Sequence, residues 1–396
     1  MIVPSKTSRI VSCLTRLGVL AVFLGAQGCA LNPVTGRPDL VLVTTHGERE
    51  LGEEAAREVE QSMGLINDPK LVAYVRAVGK RLAEYSPRKD VEYQFYVVEM
   101  AEPNAFALPG GFVYVSRGLL ALTNSEDELA NVIGHEIGHV AARHSVKRIS
   151  AAAPLAVIGG ITGAAVGIVS DRLGGAVAGV SQVAGSAFLA PYSRSQEREA
   201  DRVGTKMAAK AGWNPMAMST FLATLQRDDE LKGASPGKVS FFDSHPATPE
   251  RVENTAKLAR ALPRNASASI ATGRAGFLTK LDGLIVGENP AQGVFTEHRF
   301  LHPVLNFSVE FPSGWEGVNS RELVAAVAPE GTAFTLLQVV GEGDDPMEAA
   351  KTIEQQVKRP LMDGVEQLTI GGLPAARLVY QKKTNKGPTT LHRTWI

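Results

Sequence analysis

The chain has 396 residues, 44% of them hydrophobic, and 41 Lys plus Arg balance 41 Asp plus Glu. That length and apolar fraction exclude wholesale disorder and suit two folded domains. The zero formal net charge gives no reason to expect nucleic acid or another polyanion as a partner.

In chain order, Lys6, Arg9 and Arg16 precede the apolar run LGVLAVFLGA, and QGCA follows, the outline of an export signal over residues 1–28. The run is too short for an ordinary membrane span. The Gly28–Cys29 junction resembles a bacterial lipoprotein cleavage site, after which Cys29 would carry lipid and hold the protein to a membrane surface. Ala26 stands where such sites usually have an aliphatic residue, so a plain signal peptide, or an uncleaved anchor with an incidental cysteine, stays open. Ala30, rather than Asp, follows the cysteine, which by likeness to known lipoproteins points to the periplasmic face of the outer membrane. Cys13 and Cys29 are the only cysteines, so no intrachain disulfide can staple the folded part.

From LNPVTGRPDL onward the chain starts with turn-formers. Residues 46–85 read as helical, with Leu71, Val72, Val75, Val78 and Leu82 in helical spacing. VEYQFYVVEM (91–100) alternates as a strand, and NAFALPGGFVYVS (104–116) reads as two short extended pieces around Pro109–Gly110–Gly111. A helix is expected over 125–149, opened by a capping-box pattern of Ser125 and Glu128. Residues 151–170 contain no charge and suit a buried hairpin or flap better than a span, since a lipid anchor leaves no need of a second one. Helices resume near 194–211 and 215–230, and Pro249 opens another after a cap at Thr248. Residues 263–285 read as a linker and 286–396 as a smaller, β-rich α+β domain with one helix near 346–358. The stop at HRTWI reads as an unfinished domain.

The chemistry centres on NVIGHEIGHVAARHS. His135 and His139 lie one helical turn apart on one face, so both imidazoles can reach one metal ion. Glu136 sits beside them, where a carboxylate can take a proton from an attacking water; this is the pattern of zinc hydrolases. His144 is five residues beyond His139, about 140° round a continuous helix, which assigns it a structural or surface role. In SRSQEREAD, Glu197 and Asp201 share a helical face while Glu199 points away. Glu197 can supply the third ligand of a catalytic site and Asp201 can hydrogen-bond a ligand histidine and fix its tautomer. The competing reading is a solvated face with Arg194–Glu197 and Arg198–Asp201 pairs. Glu126 and Asp127 suit the favourable end of a helix dipole. His245, in SHPATPER, can approach the metal, hold its open position or polarise a substrate carbonyl, and Arg251 can steady an oxyanion.

The ordered run of NPVTG, NAFALPGGFVYVSRGLL, ELANVIGHEIGHVAARH, SRSQEREAD and HPATPER resembles peptidase family M48 over about residues 31–262. The resemblance implies a mainly α, gluzincin-type zinc metallopeptidase domain (30–262) with a small β edge element, holding one zinc ion per chain. It makes His135, His139 and Glu197 the zinc ligands, Glu136 the general base and later acid, and Asp201 the residue behind a ligand. Asn104, Ala105 and Phe106 correspond to the family's edge strand, where an extended substrate adds by backbone hydrogen bonds. The implied substrates are unfolded or misassembled envelope proteins, cut in the periplasm. Two departures stand out. Residues 151–190 are weaker than the spans of integral members, and 286–396 reads as β-rich where a repeat-bearing member has helices. A chaperone with a latent zinc site, or an inner-membrane protease of the family, are the rival readings.

Overall fold

The computed structural model describes residues 29–396 except 151–190, 233–240, 247–248, 264–268, 322, 340, 342, 344, 357–363 and 385–386. The export signal and the uncharged run 151–170 therefore lie outside the described residues, as does Thr248. Among the described residues no helix is long and apolar enough to cross a membrane. The chain forms two compact units that divide between Leu337 and Gln338.

The first unit opens with a small hairpin, β1 (Cys29–Leu31) against β2 (Pro38–Leu40). The single helix expected over 46–85 is two: α1 (Thr45–Ser62) and α2 (Pro69–Ala83). Gly64, at φ 74°, and the Asp68–Pro69 step break it, because a left-handed residue and a proline lacking its N–H cannot continue a helix. Asp68 caps the second helix through the N–H groups of Lys70 and Leu71. The expected stripe of Leu71, Val75, Val78 and Leu82 is buried, although Val72 is not part of it.

Next come β3 (Gln94–Val98), β4 (Ala105–Leu108) and β5 (Phe112–Ser116), in sheet order β3-β5-β4. β3 runs parallel to β5 and β4 antiparallel to it, so among the described residues β4 has a strand on one side only. Gly110 and Gly111, both at positive φ, make the β4–β5 turn. A short α3 (Arg117–Leu122) leads into α4 (Glu126–Ala141). Only half of the expected capping box forms: Ser125 Oγ accepts from the Glu128 N–H, while the Glu128 carboxylate accepts from the Asn124 N–H instead.

Beyond the gap lie α5 (Arg194–Lys210), α6 (Ala217–Lys232), one turn of α7 (Phe241–Ser244), α8 (Pro249–Ala261) and α9 (Gly273–Lys280). α5 carries a complete capping box of Ser193 and Gln196. Its Gly204 lies where an added Cβ would come 2.5 Å from the His135 backbone nitrogen. Glycine therefore lets α4 and α5 touch backbone to backbone, and the acidic face of α5 meets the histidine face of α4. Part of the expected linker is packed: Ala271 and Phe277 belong to the same hydrophobic core as α2 and α4. Sequence reads this stretch as a linker because its residues are mostly small and polar; Ala271 and Phe277 are nonetheless buried, while Ile270, Leu278 and Ile285 stay exposed.

Two three-stranded sheets follow, β6 (Val294–Thr296), β7 (Arg299–His302) and β8 (Phe307–Glu310), all antiparallel, then β9 (Glu316–Asn319), β10 (Leu323–Val327) and β11 (Phe334–Gln338), the last ending at the boundary between the units. The second unit packs α10 (Pro346–Gln356) on a sheet of β12 (Glu366–Ile370), β13 (Leu373–Thr384) and β14 (Gly387–Trp395), with Ala350, Ala376, Leu378 and Trp395 as its core.

Candidate metal centre

His135, Glu136 and His139 come from the middle of α4, Glu197 and Asp201 from α5, His245 from the end of α7, and Arg251 from α8; all are buried. The ligand atoms of His135, His139, Glu197 and His245 lie within 4.8 Å of one another. His135 Nε2 stands 2.9 Å from His139 Nε2 and 3.2 Å from His245 Nδ1. The Glu197 carboxylate closes the group at 3.3 Å from His139 Nε2 and 3.1 Å from His245 Nδ1. Imidazole nitrogens turned towards one another round a carboxylate are the donor set of a divalent ion that takes nitrogen and oxygen ligands. Both Glu136 oxygens are buried with no hydrogen-bond partner among the described residues, a costly arrangement unless something enters beside them. The residues thus fit a metal.

Burial pushes the Glu136 carboxyl above its ordinary range, against the pull of His245 and His135. Burial works the same way on Glu197, but His245 and His135 beside it outweigh that and hold its carboxyl well below the usual range. Burial likewise keeps the His139 and His144 imidazoles below their ordinary value.

Asp201 Oδ1 lies 2.9 Å from His135 Nδ1, on the far side of the ring from the cluster. That is a distance at which a carboxylate can fix a ligand's tautomer. Arg251 is placed differently from its expected oxyanion role. Its Nε and Nη2 donate to Asp201 at 2.8 Å each, and Nη1 lies 2.7 Å from Glu197 Oε2. These contacts make it a clamp on the two carboxylates. His245 Nε2 is 3.5 Å from Glu136 Oε1, so this histidine touches both the ligand group and the neighbouring carboxylate. Asn104 is buried just before β4 with its side-chain amide unpartnered among the described residues, while Ala105 and Phe106 lie in β4 itself.

Two residues escaped the sequence reading. Tyr192 stacks on the His139 ring at 3.8 Å between centroids and bonds Ser145 Oγ at 2.9 Å. An aromatic two residues before a helix carries no pattern that would reveal this. His144, given a structural or surface role, is fully buried, with Nδ1 2.9 Å from His139 Nδ1, so only the surface alternative is excluded. α4 stops at Ala141 and Arg143 takes φ 57°, so the chain turns back towards His139. Glu199, outside the ligand group, has its Oε2 3.2 Å from His144 Nε2.

Residues 69–259 match the family model described as Peptidase family M48. A β-barrel assembly-enhancing protease of Escherichia coli K12 is 32% identical over 186 residues, 45% of this chain and 37% of that protein. The mitochondrial metalloendopeptidase OMA1 of Schizosaccharomyces pombe is 30% identical over 223 residues, 56% of this chain and 63% of that one. The Bos taurus metalloendopeptidase OMA1 is 31% identical over 256 residues, 62% and 49% respectively. The chain thus spans less than two thirds of each of these relatives. The matched segment contains every clustered residue from His135 to Arg251, and it is through this segment that the chain is similar to peptidase family M48.

Proposed function

We propose that the chain is a zinc-dependent endopeptidase of the bacterial envelope that cuts misfolded or misassembled proteins. The observation that carries this reading is the four-residue group of His135, His139, Glu197 and His245 with the unpartnered Glu136 at its side. His135, His139 and Glu197 would hold the ion, and His245 stands at the fourth position. Bound zinc would supply a Lewis acid that acidifies a water and polarises a peptide carbonyl. Glu136, its proton affinity raised by burial, accepts a proton from the attacking water and passes it to the leaving amine. Asp201 keeps the His135 ring oriented, and Arg251 keeps Glu197 and Asp201 in place. An extended substrate adds to β4 at Ala105–Phe106, with Asn104 as a side-chain contact.

The envelope setting rests on the lipoprotein-like leader with Cys29 and on a relative named for β-barrel assembly. In this reading residues 30–262 are the peptidase domain and 286–396 an accessory one. His245 favours one variation: were it to hold the ion together with the other three, it would have to withdraw before substrate enters. Chelator treatment of the full chain in detergent should abolish cleavage of an unfolded protein, and returned zinc should restore it. Cleavage that survives metal removal would contradict the reading.

A further inference from the structure

Behind His139, on the side away from the ligand group, a line of polar atoms runs outward through two residues that the proposed chemistry does not use. His139 Nδ1 meets His144 Nδ1 at 2.9 Å, and His144 Nε2 meets Glu199 Oε2 at 3.2 Å. The other Glu199 oxygen lies 3.5 Å from Asn32 Nδ2 and 4.0 Å from Arg202 Nη2. Asn32 is itself fixed, because its Oδ1 accepts from the N–H groups of Val34 and Thr35 in the NPVTG turn.

Hydrogen-bond polarity lets this line be read in one direction only. A carboxylate has no proton to give, so His144 Nε2 must donate to Glu199. A neutral imidazole with its proton on Nε2 offers a lone pair at Nδ1, so His139 Nδ1 must be the donor of the next bond. His139 then presents its lone pair at Nε2, the atom that faces His135 and Glu197. The other ligand histidine, His135, is backed directly by Asp201, so the two rings are served by different carboxylates of α5, one of them acting through an interposed imidazole.

We infer that Glu199 and His144 are positioning residues that lock His139 in the tautomer able to bind metal, and that the NPVTG turn anchors the outer end of this line through Asn32. The inference rests on the zinc-site reading above and deepens it.

The test compares zinc affinity of the metal-stripped full chain in detergent, by competition with a chromophoric chelator at fixed neutral pH. The set comprises the parent, Glu199→Leu, His144→Phe and Glu199→Gln. Leucine and phenylalanine remove the acceptor and the relay, so zinc should bind about tenfold to a hundredfold more weakly. Glutamine keeps an acceptor oxygen and should stay within about threefold of the parent, a rescue that a purely space-filling role would not produce. Equal affinity in the parent and Glu199→Leu, or a Glu199→Gln loss as large as that of leucine, would overturn the inference while leaving the zinc site intact. A parent that takes up no zinc would instead overturn the reading beneath it. Should the leucine and phenylalanine variants not fold, the zinc-loaded parent still decides. Long-range proton–nitrogen correlation should place the ring proton of His144 on Nε2 and that of His139 on Nδ1, and the reverse placement would sink the inference.

Discussion

Glu126 shows how much one side chain can hold. Its buried carboxylate accepts from Tyr74 Oη at 3.0 Å, Trp213 Nε1 at 2.8 Å, and the backbone N–H groups of Ile270 and Ala271 at 2.6 Å each. Removing it would leave four donors without their acceptor. Glu126→Ala should therefore cost about 3 kcal/mol in urea unfolding, whereas Glu310→Ala, which breaks an exposed pair with Arg299, should leave the midpoint unmoved. Sequence offered only the helix-dipole role for Glu126, because its donors arrive from distant positions with no pattern linking them. The ligand pair His135 and His139 was legible for the opposite reason: helical spacing alone places both rings on one face. His144 was not, since one left-handed residue, Arg143, undoes the wheel on which it had been placed.

At the scale of elements, the contact between α4 and α5 positions the site. Gly204 faces the His135 backbone, so Gly204→Ala must push the two helices apart. That change should cost about 1–3 kcal/mol and weaken zinc binding, because Glu197 rides on the displaced helix. Gly276→Ala, in α9, meets nothing closer than 3.5 Å and should stabilise by up to about 1 kcal/mol. Thermal unfolding together with zinc titration of both variants checks the contrast. From sequence the acidic residues of α5 could be matched to the histidines of α4 by order and residue type. The close approach could not, because glycines such as Gly204 carry no sign of what they face. The half-formed capping box at Ser125 is a smaller case: the Glu128 carboxylate accepts from the Asn124 backbone N–H instead.

Across the first unit, the N-terminal segment is fastened to the end of the metal helix. Glu48 of α1 takes a two-pronged bond from Arg88 at 2.7 and 2.9 Å and a further one from Arg143 at 3.1 Å. Arg143 Nη2 also donates to the Val43 carbonyl, and the Leu42 N–H donates to Ser150 Oγ. Glu48→Gln would leave two buried guanidinium groups without their shared anion, at a cost of about 3–5 kcal/mol measurable by denaturant unfolding. A loss within error of zero would show that the network does not hold the segment. No sequence rule pairs Glu48 with Arg88 and Arg143, which lie in three separate segments. The helical region and the grouping of His135 with His139 were readable because periodicity and motif spacing are local, whereas the fastening depends on where distant segments come to rest.

The most direct measurement of the central claim is cleavage of an unfolded protein, followed by mass spectrometry, by the full chain and by its Glu136→Gln variant, both shown to hold equal zinc. The expected result is cutting by the parent and none by the variant, since glutamine keeps the shape of the site and cannot accept the proton. Equal cutting by both would contradict the assignment of Glu136, and with it the peptidase mechanism proposed for this site.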